Sequence, residues 1–145
     1  MTIEYASPRL ACAVVDDVHL AVHGPDDPDA TDWEGYLGAA RKILETYETP
    51  RVLVYTLGGG PSGTQRSMLN KINEGLSPRV AVMLESRMAR GTVTALSWFN
   101  PSIKAFSLTE IDKALAHLEL TGDVAGRVKR QLDRLKIALN ESSRG

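Results

Sequence analysis

Gly58, Gly60 and Gly63 lie in the stretch VLVYTLGGGPSGTQRSMLNK, residues 52–71, between an apolar run and a helical pattern. A strand that turns through glycines into a helix presents backbone amides to an anion, because the first helical N–H groups have no partner and the helix dipole adds positive character there. Ser62 and Thr64 add hydroxyls, and Arg66 adds a guanidinium one turn inside. Three chemistries fit. The turn could bind a phosphate through Gly58, Gly59, Gly60, Gly63, Thr64 and Arg66, or carry one covalently on Ser62 or Thr64. It could also simply reverse the chain, with glycines permitting a sharp bend and Ser62 or Thr64 capping the helix.

The three glycines spell GxGxxG, and Glu85 stands 22 residues beyond Gly63, as in a dinucleotide fingerprint. Three features oppose that reading. A hairpin and a helix precede the motif, only two strands follow it, and Pro61 removes an amide where a pyrophosphate needs one. The nucleoside-triphosphatase loop GxxxxGK[ST] is matched at Gly58 and Gly63, but Thr64 and Gln65 replace its Lys and Ser/Thr, so the phosphates lose their counter-charge.

Elsewhere the chemistry is sparse. His19, His23 and His117 show no spacing that ties them to Cys12 or to a serine, so no base–nucleophile pair is visible and the chain reads as a non-enzyme. His19 and His23 could share a strand face, with only Asp16 and Asp17 as further metal ligands nearby; no metal and no cofactor is expected. The segment SRMARGTVTALSWFNP, residues 86–101, is the second conspicuous stretch. It reads as a packing helix that could bring Arg90 and Trp98, with Arg87, toward the glycine turn, since both segments would lie at the carboxyl ends of parallel strands.

Those groups must be positioned by a chain of 145 residues, 15.8 kDa, the size of one domain with its own core. Seventeen basic and 18 acidic residues give a net charge of −1, which provides no global field for nucleic acid. A lone cysteine excludes an internal disulfide, and neither a signal-peptide pattern nor an apolar run of membrane-spanning length is present, so a cytoplasmic protein without a membrane span is expected.

The apolar runs at 10–16 and 18–23 predict an antiparallel hairpin, with Val18, Leu20 and Val22 on one face, His19, Ala21 and His23 on the other, and one of the two faces wetter. Residues 24–32 form a loop, from which Thr31 or Asp32 caps a helix striped by Trp33, Leu37, Ala40, Leu44 and Tyr47 and ended by Pro50. Runs at 51–57 and 79–85 lack polar alternation, as buried parallel strands do. A helix at 64–74 lies between them. A helix near 88–98, a strand at 103–107 and a helix capped by Ser107 or Thr109 complete an α/β order ββαβαβαβα, a mostly parallel sheet with flanking helices. Val124, Val128, Leu132, Leu135 and Leu139 give the last helix, 123–140, an apolar seam that could close the core, pair with a second copy as a homodimer, or meet an acidic partner. The residues beyond it read as frayed.

This order, with a hydroxyl at the opening of the second helix, resembles the STAS domain of anti-sigma-factor antagonists and sulfate transporters and the related SEC14-like set. The resemblance spans residues 8–120, with 123–140 as an added helix. It implies a regulatory domain that binds a protein such as a kinase, and a serine in an Asp-Ser-Ser-Gly-like turn whose phosphorylation releases that kinase. Ser62-Gly63 matches the Ser-Gly pair, while Gly60-Pro61 replaces the family's aspartate. The alternative is a small-molecule site for a nucleotide, acidic metabolite or lipid head group in the same crevice, contacted by Thr64, Arg66 and Arg90.

Overall fold

The computed structural model describes residues 3–85, 91 and 102–144. Six strands form one mixed sheet: β1 (Ile3–Ala6), β2 (Leu10–Val15), β3 (Val18–His23), β4 (Arg51–Thr56), β5 (Arg79–Leu84) and β6 (Ile103–Phe106). They lie side by side in chain order, antiparallel from β1 to β3 and parallel from β3 to β6. The α/β class and the mostly parallel sheet match the sequence reading. β1 is an addition to it, a four-residue edge strand whose pairing with β2 is interrupted by a bulge between Ile3 and Tyr5.

Helices α1 (Ala30–Leu44) and α2 (Gly63–Ile72) cross between β3 and β4 and between β4 and β5. Parallel crossovers are right-handed, so connections that always step the same way along the sheet leave their helices on the same face. Trp33, Tyr36, Leu37 and Ala39 of α1 accordingly pack with Leu10, Cys12 and Ala21, joined by Leu69 and Ile72 of α2. Helices α3 (Ile111–His117) and α4 (Gly122–Arg144) cover the opposite face, where Val128, Leu132, Leu135 and Leu139 meet Ala11, Ala13, Leu20, Val22 and Leu53. The apolar seam of the last helix is thus covered by this chain's own sheet, which removes the surface on which a homodimer through that helix rested.

Both faces of β3 are buried for the same reason: α1 lies over one and α4 over the other. The expected wetter face of this strand does not exist. Helix caps also shift. Asp29, not Thr31 or Asp32, is the N-cap of α1, with Asp32 completing a reciprocal capping box. The helix ends at Leu44, so Tyr47 lies outside it, half-exposed, and Tyr36 and Ile43 take the buried positions. At α3, Glu110 holds the N-cap position without a side-chain cap bond, and the Ser107 and Thr109 hydroxyls face each other at 3.2 Å. α4 continues to Arg144, past the expected fraying point.

Two arginines tie the amino ends of the strands together. Arg51 forks onto both carboxylate oxygens of Asp17 at 2.9 and 2.7 Å and donates to the Leu118 carbonyl, while Arg127 joins α4 to Asp16 at the hairpin turn. Asp16 takes φ +53°, a conformation that aspartate tolerates better than most residues. The helix read at 88–98 lies outside the described residues.

Candidate functional site

The glycine turn sits at the carboxyl end of β4, and each glycine plays a different part. Gly58 has φ +134°, which a side chain would strain. At Gly59 a Cβ would stand 2.2 Å from the Asp26 carbonyl and 2.7 Å from that of Gly24, so glycine here lets the 24–29 loop lie against the turn. Gly60 has open space, and a Cβ at Gly63 would meet only the Arg66 guanidinium, at 3.9 Å. The third glycine of a dinucleotide fingerprint permits close helix–strand packing. Gly63 does not serve that purpose. The sheet order agrees, because its strands never reverse direction of travel and so form no switch-point crevice.

Most amides of the turn are already satisfied. Thr56 Oγ1 accepts from Gly58 N at 3.0 Å and donates to the Gly59 carbonyl, Gly59 N donates to Gly24 O, and Gly60 N donates to the Asp27 carboxylate at 3.0 Å. Ser62 is the N-cap of α2: its hydroxyl accepts from Gln65 N, and the Gln65 side chain accepts from Ser62 N. The S-x-x-Q spacing was visible in the sequence as a capping-box signal. Gly63 N and Thr64 N make no hydrogen bond among the described residues. Beside them the Arg66 guanidinium, which has no carboxylate within ion-pair distance among the described residues, folds back toward Gly63.

α2 is lightly held. None of its residues is buried. Trp33 Nε1 donates to the Gln65 carbonyl at 2.9 Å, Gln65 Nε2 donates to Pro28 O, and Leu69 and Ile72 reach the α1 core. Leu57 is 49% exposed and Met68 40%. The structure therefore brings Gly58, Gly60, Ser62, Gly63, Thr64 and Arg66 together at the surface, with Gly59 buried beneath the 24–29 loop. Arg90 and Trp98 lie outside the described residues. Sequence reasoning missed the Asp27 carboxylate and the Trp33 anchor, since both arrive from a loop and helix some thirty residues earlier in the chain.

Beneath α1 lies a second set of polar groups. Tyr36 stacks on Trp33 with ring centroids 4.4 Å apart and meets the His19 ring at 4.1 Å, tilted by 32°. His19 Nε2 and His23 Nδ1 are buried without a hydrogen-bond partner among the described residues. Burial lowers His19 to about 3, helped by His23, and lowers His23 to about 4 against the pull of Asp27 and Asp32. Burial also raises the Cys12 thiol to about 12, the opposite of what a nucleophile needs. Asp16 and Asp17 are engaged by Arg127 and Arg51, away from both histidines. Asp32, fully buried, accepts from Arg9 Nε at 2.6 Å and Tyr5 OH at 2.7 Å. Burial pushes its carboxyl up, and these hydrogen bonds, Arg9's above all, bring it well below the usual carboxylate range.

On the other face an open groove of about 390 Å³ runs between α3 and α4, floored by Met83 and Leu132. Its charges are mutually engaged: Lys129 meets Asp112 at 2.6 Å, and Lys136 lies over the Tyr55 ring at 4.2 Å with Asp133 beside it.

No helix among the described residues is long and apolar enough to cross a membrane. No protein-family model, no curated protein and no solved structure matches the chain.

Proposed function

We propose that this chain is a non-enzymatic, STAS-like regulatory domain of the cytoplasm that binds a protein partner through the glycine turn and α2, and that negative charge at Ser62 or Thr64 tunes the binding. The observation that carries the reading is the state of α2. It is a well-capped helix at the carboxyl end of the parallel strands that buries none of its own residues, with Met68 exposed on it and Leu57 exposed in the turn before it. A helix so little covered owes its order to its capping box, to Trp33 and to the packing of Leu69 and Ile72, and it leaves the rest of its circumference to another molecule.

The charge response follows from the same geometry. A phosphoryl group on Ser62 or Thr64 would carry two negative charges beside the Gly63 and Thr64 amides and Arg66, where they are well received. In an interface the same charges would be desolvated or repelled. A free phosphate-bearing ligand is less well supported, because the Asp27 carboxylate already occupies the Gly60 amide.

The test compares Ser62→Asp with Ser62→Ala against a partner captured on the wild-type protein and identified by mass. Asp caps a helix as well as Ser, so loss of binding in Ser62→Asp is not loss of α2. Binding weakened by Ser62→Asp and retained in Ser62→Ala supports the switch; equal binding by both contradicts it.

A further inference from the structure

Deepening that reading, the charge around α2 points to the chemistry of the partner. From Thr49 to Asn73 the chain holds Arg51, Arg66 and Lys71 and no Asp or Glu. Arg51 is tied to Asp17. Arg66 and Lys71 have no carboxylate within ion-pair distance among the described residues, and residues 86–101 contain none in their sequence. Arg41, Lys104 and Arg130 share this state, whereas Arg9, Lys42, Arg79, Lys113, Arg127, Lys129 and Lys136 each meet a carboxylate; α2 differs in carrying two such cations and no acid of its own, with exposed Glu74 just beyond its end. The positive end of the α2 dipole adds to the same field.

Apolar surface lies among these charges. Thr64, Met68 and Lys71 stand at i, i+4 and i+7 and so form one stripe along the helix, with Met68 exposed between an uncommitted hydroxyl and an uncommitted ammonium. Arg66 lies on the opposite flank of the exposed face. Methionine adapts its shape to many apolar anchors.

We infer that α2 receives an acidic segment of a partner protein, one carrying apolar side chains between its carboxylates, with Met68 and Leu57 contacting the apolar groups and Lys71 and Arg66 the carboxylates. The inference rests on the protein-binding reading above and adds the sign of the partner. It also supplies a reason for a charge-tuned site, since a phosphoryl group at the start of α2 would repel a segment of that sign. The exposed aspartates of the 24–29 loop set the limit of the surface, because they border the glycine turn from the α1 side and repel the same segment there.

The experiment uses the full chain, uniformly labelled with nitrogen-15, titrated with a synthetic 15-residue peptide of alternating glutamate and leucine blocks and with its lysine-for-glutamate counterpart. Amide shifts are followed at low and moderate salt. The expected result is a saturable response to the acidic peptide at Leu57, Thr64, Met68 and Lys71. It should weaken roughly three- to tenfold in Lys71→Glu, as reversal of an exposed charge at an interface does, and weaken again as salt shortens the screening length. Both Arg66 and Lys71 are exposed, so Arg66→Glu provides a second reversal without a folding penalty.

A response confined to the exposed arginines of α4, no saturable response, or preference for the basic peptide through the Asp26–Asp29 loop would each overturn the inference. A doubled mass on titration-free sedimentation, abolished by Lys71→Glu, would assign the surface to a second copy and overturn it as well. If a natural partner still engages α2 while the acidic peptide fails, the sign of the partner is wrong and the protein-binding reading survives.

Discussion

Trp33 Nε1 donates to the Gln65 carbonyl at 2.9 Å, and it is the one hydrogen bond that a side chain of α1 makes to α2 among the described residues. The indole is buried and stacked on Tyr36, so its position is fixed from below. Trp33→Phe keeps an aromatic ring there and removes the bond. The combined loss of the hydrogen bond and of ring volume is expected to cost about 1–3 kcal/mol. Hydrogen exchange should rise in α2 more than in α1; an equal rise in both would mean that the bond does not anchor α2 selectively.

The capping box predicts a local effect of similar kind. Ser62→Ala removes the acceptor for Gln65 N and should cost about 1 kcal/mol of α2 stability, whereas Ser62→Asp should retain it. Amide exchange at Gln65 and Arg66 reads this directly, and unchanged protection in Ser62→Ala would show the cap to be dispensable.

The glycines separate cleanly. Gly59→Ala forces a Cβ onto the Asp26 and Gly24 carbonyls and should destabilise by roughly 2–4 kcal/mol, because backbone on both sides must move. Gly60→Ala has room, and Gly63→Ala, at the first helical position, should be neutral or stabilising by about 0.5 kcal/mol. Thermal melting of the three variants is the check. A large loss at Gly63 would restore the close-packing role that a nucleotide fingerprint assigns to that glycine.

Acid should unfold the protein in two stages. His19 and His23 titrate near 6.5 when unfolded and at about 3 and about 4 when folded, so the unfolded state takes up protons first as pH falls. Their contribution is complete above pH 6.5 and declines from there to about pH 4 for His23 and about pH 3 for His19, by up to about 1.4 kcal/mol per histidine per pH unit. Asp32 is also depressed on folding, so its contribution is present above the unfolded carboxylate range and disappears below it. Denaturation midpoints from pH 7.5 to 5 should fall in the wild type and fall less in His19→Gln; a flat profile would contradict the burial of neutral histidines.

Parts of this architecture were legible because they rest on local pattern. The hairpin strands and β4 and β5 were readable as unbroken apolar runs, and the seam of α4 by its helical spacing. β1 was not readable: four residues broken by a bulge give too short an alternation. The caps were misread where an acidic residue plays the second member of a box rather than the first, as Asp32 does behind Asp29. The burial of His19 and His23 could not be read at all, since it depends on α1 and α4 closing over β3 from opposite sides. At the site, the glycine turn was visible as a motif, but its internal satisfaction was not. The Asp27 carboxylate and the Gly24 carbonyl that fill its amides come from a loop whose approach only the Gly59 contact reveals.

The central claim is that α2 is a surface for another protein. A photo-crosslinking residue placed at Met68 in the full chain, expressed in its own cells, tests it most directly, with the same residue at Ile137, exposed on α4, as the reference. The account predicts one dominant crosslinked species from position 68, diminished by Ser62→Asp and absent from position 137. Crosslinks of equal yield and pattern from both positions, or none from 68, would contradict it.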